Sequence, residues 1–161
     1  MTNSRLKRLS FFLFLSSFLF IVASSLTQRW SLGLNTTASL PGYYYLLDRQ
    51  VDEISRGDIV VFALKQDDFY GDAKLMKVVA GMPGDHISWR GRDVYVNDVF
   101  HGRALKRAQT GEALVKSHFS GVIPQGHYWV WTSYLRSYDS RYDDVGLVKA
   151  SDILGRAKKV F

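Results

Sequence analysis

The hydrophobic pattern of this chain begins with a membrane-length apolar run, which short apolar segments follow. Residues 9–26 read LSFFLFLSSFLFIVASSL, 18 positions without a charge. At about 1.5 Å per residue, a helix of this length spans roughly 27 Å, close to the hydrocarbon thickness of a bilayer. The sequence therefore predicts a transmembrane anchor over residues 9–28.

The charges around this run predict its orientation. Arg5, Lys7 and Arg8 precede it, and basic residues of this kind stay on the cytoplasmic side. We therefore expect residues 1–8 to form a cytoplasmic basic tail. An alternative is a cleavable signal peptide with Val22-Ala23-Ser24 as the cleavage site, although the apolar run is long for that role. Both interpretations place residues 33–161 outside the cytoplasm.

Beyond the anchor, the apolar positions come in short runs between turn residues, a pattern typical of β-structure. Residues 98–123 are polar and glycine-spaced, and we expect a loop or small insertion there. The predicted fold is mostly β: a bent sheet or barrel domain over residues 33–161, behind one N-terminal transmembrane helix. The predicted strands are Tyr43–Leu47, Asp58–Ala63, Leu75–Ala80, His86–Trp89, Asp93–Val96, Tyr128–Trp131 and Ile153–Phe161.

Composition narrows the possible functions. The 161 residues are 47% hydrophobic and 22% charged, which fits a folded domain with an anchor rather than a disordered chain. There is no cysteine, so disulfides, thiol catalysis and cysteine metal sites are excluded. The histidines show no metal-ligand spacing, and we expect no cofactor. The net charge is +6, but beyond the tail the basic residues are scattered, so we expect no nucleic-acid partner.

Lys77 is the most unusual polar residue of the predicted strands. The residues on both sides of it, Leu75-Met76 and Val78-Val79, are apolar on both faces of a period-two strand, which indicates burial on both sides. Desolvation lowers a lysine pKa, and a neutral amine can take a proton from a serine hydroxyl. The alternative is a lysine whose amine reaches solvent from a sheet edge.

Two further segments carry hydroxyl groups that suit such a lysine. Ser39 follows a small polar stretch and precedes Pro41 and Gly42, which can hold its backbone rigidly. On local evidence alone, this segment is a polar juxtamembrane linker rather than the site of a nucleophile. Near the end of the domain, Ser137 and Ser140 could orient an amine, and Asp139 and Arg141 could form a local ion pair. The alternative there is a tyrosine-rich polar loop.

Four blocks, in this order, resemble the signal peptidase I family of membrane-anchored serine–lysine proteases. The first is Ser39 just after the anchor. The other three are Arg56-Gly57-Asp58-Ile59-Val60-Val61-Phe62, Met76-Lys77-Val78-Val79-Ala80-Gly81-Met82-Pro83-Gly84-Asp85, and Ile123 to Val130 followed by Asp139-Ser140-Arg141. The resemblance covers nearly the whole chain and implies a signal-peptidase-like β domain.

The resemblance also implies roles for individual residues. Ser39 would be the nucleophile and Lys77 the general base. The Ser39 amide and the Thr37 hydroxyl would form the oxyanion hole, and Ser137 would hydrogen-bond the lysine. Asp139, Ser140 and Arg141 would shape the turn beside the site.

Within the family, the chain is most similar to the short conjugative-transfer (TraF-type) peptidases. The proline two residues after Ser39 and the brief insertion between blocks carry this similarity. It implies an exported, pilin-like precursor, bound as an extended strand and cleaved at a signal or propeptide junction, with cyclisation in some systems. It also implies a single-pass protein of the inner membrane with a periplasmic catalytic domain, in contact with membrane lipid.

The sequence departs from the family pattern at two places. The family's G-D-N-R reads Trp131-Thr132-Ser133-Tyr134, and the arginine that usually follows the lysine is Val78. Two alternatives remain open: a general signal peptidase that acts on many secreted proteins, and a non-catalytic anchored module of pilus assembly in which Ser39 and Lys77 are expendable.

Overall fold

The computed structural model describes residues 2–64 and 74–160. It begins with α1, Thr2–Arg29. Its segment Lys7–Arg29 is 23 residues long, unburied, and long and apolar enough to cross a membrane. The helix thus contains the predicted anchor and continues through the basic tail. The boundaries predicted for the tail, the anchor and the catalytic domain remain predictions.

The end of α1 is tied to the domain that follows it. The Arg29 side chain donates two hydrogen bonds to the Asp48 carboxylate, at 3.1 and 3.0 Å, and its guanidinium lies 4.9 Å from the Trp30 ring centroid. The Arg29 carbonyl accepts a hydrogen bond from the Arg49 amide at 2.9 Å. The first strand therefore starts directly at the end of the helix, without a linker between α1 and the larger sheet.

The described residues form two antiparallel sheets. The larger has the order β1-β2-β11-β3-β4-β9-β10, and the smaller the order β7-β6-β5-β8. The strands are β1 Trp30–Leu34, β2 Tyr44–Asp48, β3 Ile59–Ala63, β4 Lys74–Gly81, β5 His86–Arg90, β6 Asp93–Val96, β7 Val99–Arg103, β8 Gly121–Val122, β9 His127–Trp131, β10 Val148–Lys149 and β11 Ile153–Lys159. The mostly-β class predicted from the sequence is confirmed, and the structure adds that the strand pairs are antiparallel.

The segment predicted as a loop or insertion, residues 98–123, contains regular structure at its start. β7 pairs with β6 through a two-residue turn, in which Asn97 and Asp98 have φ of 48° and 63°. This left-handed backbone is typical of a tight hairpin turn, and asparagine and aspartate tolerate it well. The rest of the segment holds short β8 and two isolated bridges, Arg107↔Ala113 and Lys116↔Tyr142.

Strand β4 lies in the interior of the larger sheet, between β3 and β9. Its two faces pack against different apolar clusters. One cluster contains Val60, Val79 and Val130, and the other contains Val61 with Met76 and Val78 at its border. A strand buried on both faces should read as a continuous apolar run, which is what surrounds Lys77 in the sequence.

Candidate active site

Lys77 lies in the middle of β4, opposite Val60 of β3, and only 4% of its surface is exposed. Its side chain shares a face with Val79, so it points toward the cluster around Val60 and Val130. Burial lowers the pKa of Lys77 to about 8; the Asp139 carboxylate raises this pKa and the Arg141 guanidinium lowers it. The burial expected from the apolar neighbours is therefore present.

This pKa changes the chemistry available to the amine. With a pKa of about 8, roughly a tenth of the Lys77 side chains are neutral at pH 7, against about three in ten thousand for an ordinary lysine. A neutral amine has a free electron pair and can accept a proton. Lys77 thus combines an apolar position with an enlarged fraction of the neutral form, which is the form that a general base requires.

The turn that carries Ser39 is organised by Asn35, whose side chain is buried in the middle of it. The Asn35 amide nitrogen donates to the carbonyl oxygens of Leu40 and Gly42, at 2.7 and 3.0 Å. Its amide oxygen accepts from the backbone amide and the hydroxyl of Thr37, at 3.3 and 3.2 Å. Asn35 therefore holds both ends of the Ser39 turn, a role that sequence reasoning missed.

The Ser39 and Thr37 hydroxyls lie 2.7 Å apart, within hydrogen-bond distance. Ser39 is half-buried and Thr37 is exposed. The structure therefore brings together the residues predicted as nucleophile and oxyanion donor. Because the Thr37 hydroxyl also contacts the Asn35 amide oxygen, its position next to Ser39 is fixed.

The turn Asp139-Ser140-Arg141 is completely buried and carries the predicted ion pair. The Arg141 guanidinium donates to both carboxylate oxygens of Asp139, at 2.8 and 2.9 Å. The Ser140 hydroxyl accepts a hydrogen bond from the Val130 amide at 2.9 Å, and the Ser140 amide donates to the Val130 carbonyl at 3.0 Å. These contacts fasten the turn to β9, the strand next to Lys77.

Two buried hydroxyl groups near this turn have no hydrogen-bond partner among the described residues. Ser137 is 3% exposed and Thr132 is 2% exposed. The β4–β9 register pairs Val78 with Trp131 and Val79 with Val130, and its continuation by one residue places Thr132 opposite Lys77. Buried polar groups are nearly always bonded, so two hydroxyl groups without a partner among the described residues are notable. Ser137 was predicted for this site, whereas Thr132 was missed.

Not every expected contact is formed. Within the ranges 2–64 and 74–160, no hydrogen bond joins Lys77 to the hydroxyl of Ser39 or Ser137. Leu40, the residue after Ser39, packs in the cluster bordered by Met76 and Val78, the two sequence neighbours of Lys77. Leu40 thus packs the Ser39 turn against the Met76 and Val78 face of β4, whereas Lys77 shares the other face with Val79. Catalytic hydrogen bonds are often long in an enzyme without substrate and tighten when substrate binds.

Comparison with known proteins gives independent information on the chain as a whole. A sequence profile of the family described as signal peptidase, peptidase S26, matches residues 5–161. The conjugal transfer protein TraF of Agrobacterium tumefaciens (strain 15955) is 31% identical, over 80% of this chain and 81% of its own. TraF of Agrobacterium fabrum (strain C58) is 24% identical with the same coverage. A crystal structure of a signal peptidase I from Enterococcus faecalis V583 is 23% identical and covers 66% of this chain and 98% of its own, with a TM-score of 0.45.

Proposed function

Because this chain belongs to the signal peptidase family, peptidase S26, we propose that it is a membrane-anchored serine endopeptidase with Ser39 as nucleophile and Lys77 as general base. The observation that carries the proposal is the burial of Lys77, which lowers the pKa of its amine to about 8. Burial of a lysine in the interior of a sheet lowers the stability of the folded protein, and a catalytic role is a physical reason for a lysine at such a position.

The mechanism follows from these groups. The neutral Lys77 amine accepts the Ser39 proton while the Ser39 oxygen attacks the scissile carbonyl carbon. The Ser39 amide and the Thr37 hydroxyl stabilise the oxyanion, a contribution of about 3–4 kcal/mol for a donor of this kind. The ammonium returns the proton to the leaving amine, and an acyl-enzyme remains. Water then attacks the ester with Lys77 again as base, which releases the acid and restores Ser39.

The substrate side of the proposal rests on the edge of the larger sheet. Strand β1 lies at the end of the sheet described by the structure, and it leads into the Ser39 turn. Beside it lies a largely apolar groove of about 600 Å³, lined by Ser31–Leu34 of β1 and by Met76 of β4 among others. An extended segment can add to the β1 edge by main-chain hydrogen bonds and place its side chains in this groove. We propose that the residues before the cleaved bond bind there and that small side chains are favoured next to the bond.

The relatives suggest the biological substrate and location. Two of them are described as conjugal transfer proteins. We propose an exported, pilin-like precursor as substrate, with hydrolysis or intramolecular attack by an amine as the two fates of the acyl-enzyme. We place the protein in the inner membrane as a single-pass protein, with its N-terminus cytoplasmic and its β domain periplasmic. The apolar helix α1 fits this anchor.

The Ser39→Ala variant should stop processing, because no other atom replaces the attacking oxygen. We expect the pilin precursor to persist in cells that carry Ser39→Ala and to disappear in cells with the wild-type protein, as measured by mass spectrometry of the pilin. A wild-type product lighter than the linear form by one water would indicate cyclisation. Ser151→Ala, an exposed serine of the short helix Ala150–Asp152, is the matched control and should process normally.

Identical mature pilin in wild-type and Ser39→Ala cells would reject catalysis on this substrate and support a non-catalytic role in assembly. Substrate breadth needs a separate experiment, in which the gene is expressed in a strain depleted of its own leader peptidase. Rescue of that strain would identify a general signal peptidase, whereas our proposal predicts no rescue.

The pH dependence of cleavage should report Lys77. The amine acts when neutral, so kcat/KM should rise with pH and level off above a midpoint near pH 8. The measurement is kcat/KM for one peptide substrate from pH 5.5 to 10, with the full chain in detergent micelles. A rate that does not change across this range would be inconsistent with a base that loses its proton near pH 8.

A further inference from the structure

A second cavity, of about 310 Å³, lies against the Ser39 turn and has no place in the mechanism above. Thr37 and Ala38 form part of its wall. The remaining wall comes from residues within 105–114 and 134–144. It shares no lining residue with the groove along β1. A substrate that crosses Ser39 therefore has two distinct cavities available, one along the strand and one beyond the turn.

The far wall of this cavity is held rigidly by the segment 104–114. Arg92 donates to the carbonyl oxygens of Ala104 and Leu114, at 2.6 and 3.3 Å. The Leu105 amide donates to the Tyr142 hydroxyl at 3.1 Å. The two sides of the segment are also joined by backbone hydrogen bonds, such as that from the Leu114 amide to the Lys106 carbonyl at 2.9 Å. The cavity is therefore preformed and does not depend on a bound ligand for its shape.

The charges of the lining favour an anion. Arg107 and Arg136 both line the cavity and are exposed, and neither forms an ion pair with any acidic residue in 2–64 or 74–160. The acidic residue of the lining is Asp144, whose carboxylate accepts a hydrogen bond from the Tyr138 hydroxyl. Two guanidinium groups without carboxylate partners thus line the cavity together with one carboxylate that is already bonded, and the Arg107 guanidinium also donates to the Gly111 carbonyl oxygen at 2.8 Å.

The apolar part of the wall suits a peptide. Tyr138 and Tyr142 stack with ring centroids 5.4 Å apart and an interplanar angle of 16°. Such a surface packs against the apolar portion of a short peptide segment, while the arginines bind its charge. The residues before the cleaved bond, the acyl side of the substrate, need a free strand edge, and the groove along β1 provides one. This cavity is therefore available for the residues after the cleaved bond.

We propose that this cavity binds the leaving-group side of the substrate, and that Arg107 and Arg136 bind a carboxylate there. This inference rests on the proposed function of Ser39. The carboxylate has two possible sources: an acidic side chain within the first residues after the cleaved bond, or the C-terminus of a short leaving segment. Arginine forms the same bidentate hydrogen bonds with a side-chain carboxylate and with a C-terminal carboxylate, so one site can bind either group.

The experiment compares peptides that share one acyl side and differ only after the bond, with the full chain in detergent micelles. One set carries Asp, Asn or Lys in turn at the first three leaving-side positions, with an amidated end. A second set has a neutral leaving side that ends in a free carboxylate or an amide. We expect the wild-type protein to prefer the carboxylate member of at least one set by about tenfold in kcat/KM, and the set that responds identifies the source.

Charge reversal assigns the preference to the two arginines. In Arg107→Glu/Arg136→Glu, the ratio of kcat/KM for acidic over lysine-containing peptides should invert. Arg90→Glu, an exposed arginine in the smaller sheet, is the matched control and should keep the wild-type ratio. A wild-type protein without a carboxylate preference, or a preference unchanged by the double reversal, would overturn the proposal.

A binding measurement separates this inference from the proposed function. Ser39→Ala cannot cleave, so fluorescence anisotropy can measure its binding of labelled leaving-side peptides ending in a carboxylate or an amide, or carrying Asp or Asn. Tighter binding of the carboxylate forms, lost in Ser39→Ala/Arg107→Glu/Arg136→Glu, would support the cavity even if Ser39 were not the nucleophile. Equal binding of all forms would reject it even if Ser39 is the nucleophile.

Discussion

Lys77→Met is expected to abolish cleavage and, at the same time, to raise the free energy of unfolding by about 3 kcal/mol at pH 7. The first effect follows because methionine cannot accept the Ser39 proton. The second follows because burial lowers the pKa of Lys77 to about 8, which means that the folded protein disfavours the charged amine. The difference between 10.5 and about 8 corresponds to about 3 kcal/mol. Methionine has a similar length and no charge to desolvate, so it fits the same site.

The gain in stability should depend on pH in a defined direction. Between about pH 8 and 10.5, the unfolded chain still holds the Lys77 proton while the folded chain has released it. The unfolded state then binds more protons, so the stability of the wild-type protein rises with pH across this window. The advantage of Lys77→Met should therefore be complete below about pH 8 and small above about pH 10.5. Urea unfolding of the full chain in detergent, at pH 7 and pH 10, measures both values.

Two variants test this explanation. Lys77→Arg keeps a charge that cannot be lost and should be inactive and less stable than the wild-type protein. Lys74→Met changes an exposed lysine of the same strand and should leave the free energy of unfolding within about 0.5 kcal/mol of the wild-type value. A cleaving Lys77→Met or Lys77→Arg protein would mean that the lysine is only structural. A less stable Lys77→Met would mean that polar contacts of the amine outweigh its desolvation.

Local sequence patterns were sufficient to predict much of the fold. They failed for segments that become strands only because another strand pairs with them. Strand β4 was recognisable because residues on both sides of Lys77 are apolar. β1, Trp30–Leu34, was not predicted, because a short segment at the membrane exit becomes a strand only through its pairing with β2. β7 was expected to be loop, because Val99–Arg103 contains histidine and glycine and is fixed by the turn before it. Strand propensity depends strongly on such neighbours.

The same limit applies to the candidate site. The Asp139–Arg141 pair is two residues apart and could be predicted from spacing alone. Asn35 and Thr132 could not, because their importance depends on the fold of a turn and on a strand register. The two departures from the family pattern meet in the structure, because Val78 and Trp131 lie opposite each other across β4 and β9. In the family pattern these two positions hold arginine and glycine, and this chain has an apolar pair there.

Arg141→Ala is expected to lower the free energy of unfolding by about 3–5 kcal/mol, a large part of the 5–15 kcal/mol that a domain usually has. Arg141 is 1% exposed and Asp139 is completely buried. Besides the Asp139 carboxylate, the Arg141 guanidinium bonds the carbonyl oxygens of Tyr134 and Ser137, at 3.0 and 3.1 Å. Its removal leaves a carboxylate and two carbonyls without their donor in a site closed to water.

The destabilisation of Arg141→Ala should come from the Asp139 carboxylate that is left buried without a guanidinium, rather than from the loss of the attraction between the two charges. We therefore expect Asp139→Ala/Arg141→Ala to be less destabilised than the sum of the two single variants, because neither charge remains alone. Arg103 and Asp93 form a pair with the same geometry, at 2.6 and 2.8 Å, but the Arg103 side chain is 63% exposed. Arg103→Ala should shift the urea midpoint only slightly, because water replaces the lost partner. Equal losses of unfolding free energy in Arg103→Ala and Arg141→Ala would show that burial does not determine how much these ion pairs stabilise the protein. The rigidity of the turn Asp139-Ser140-Arg141 would then need another explanation.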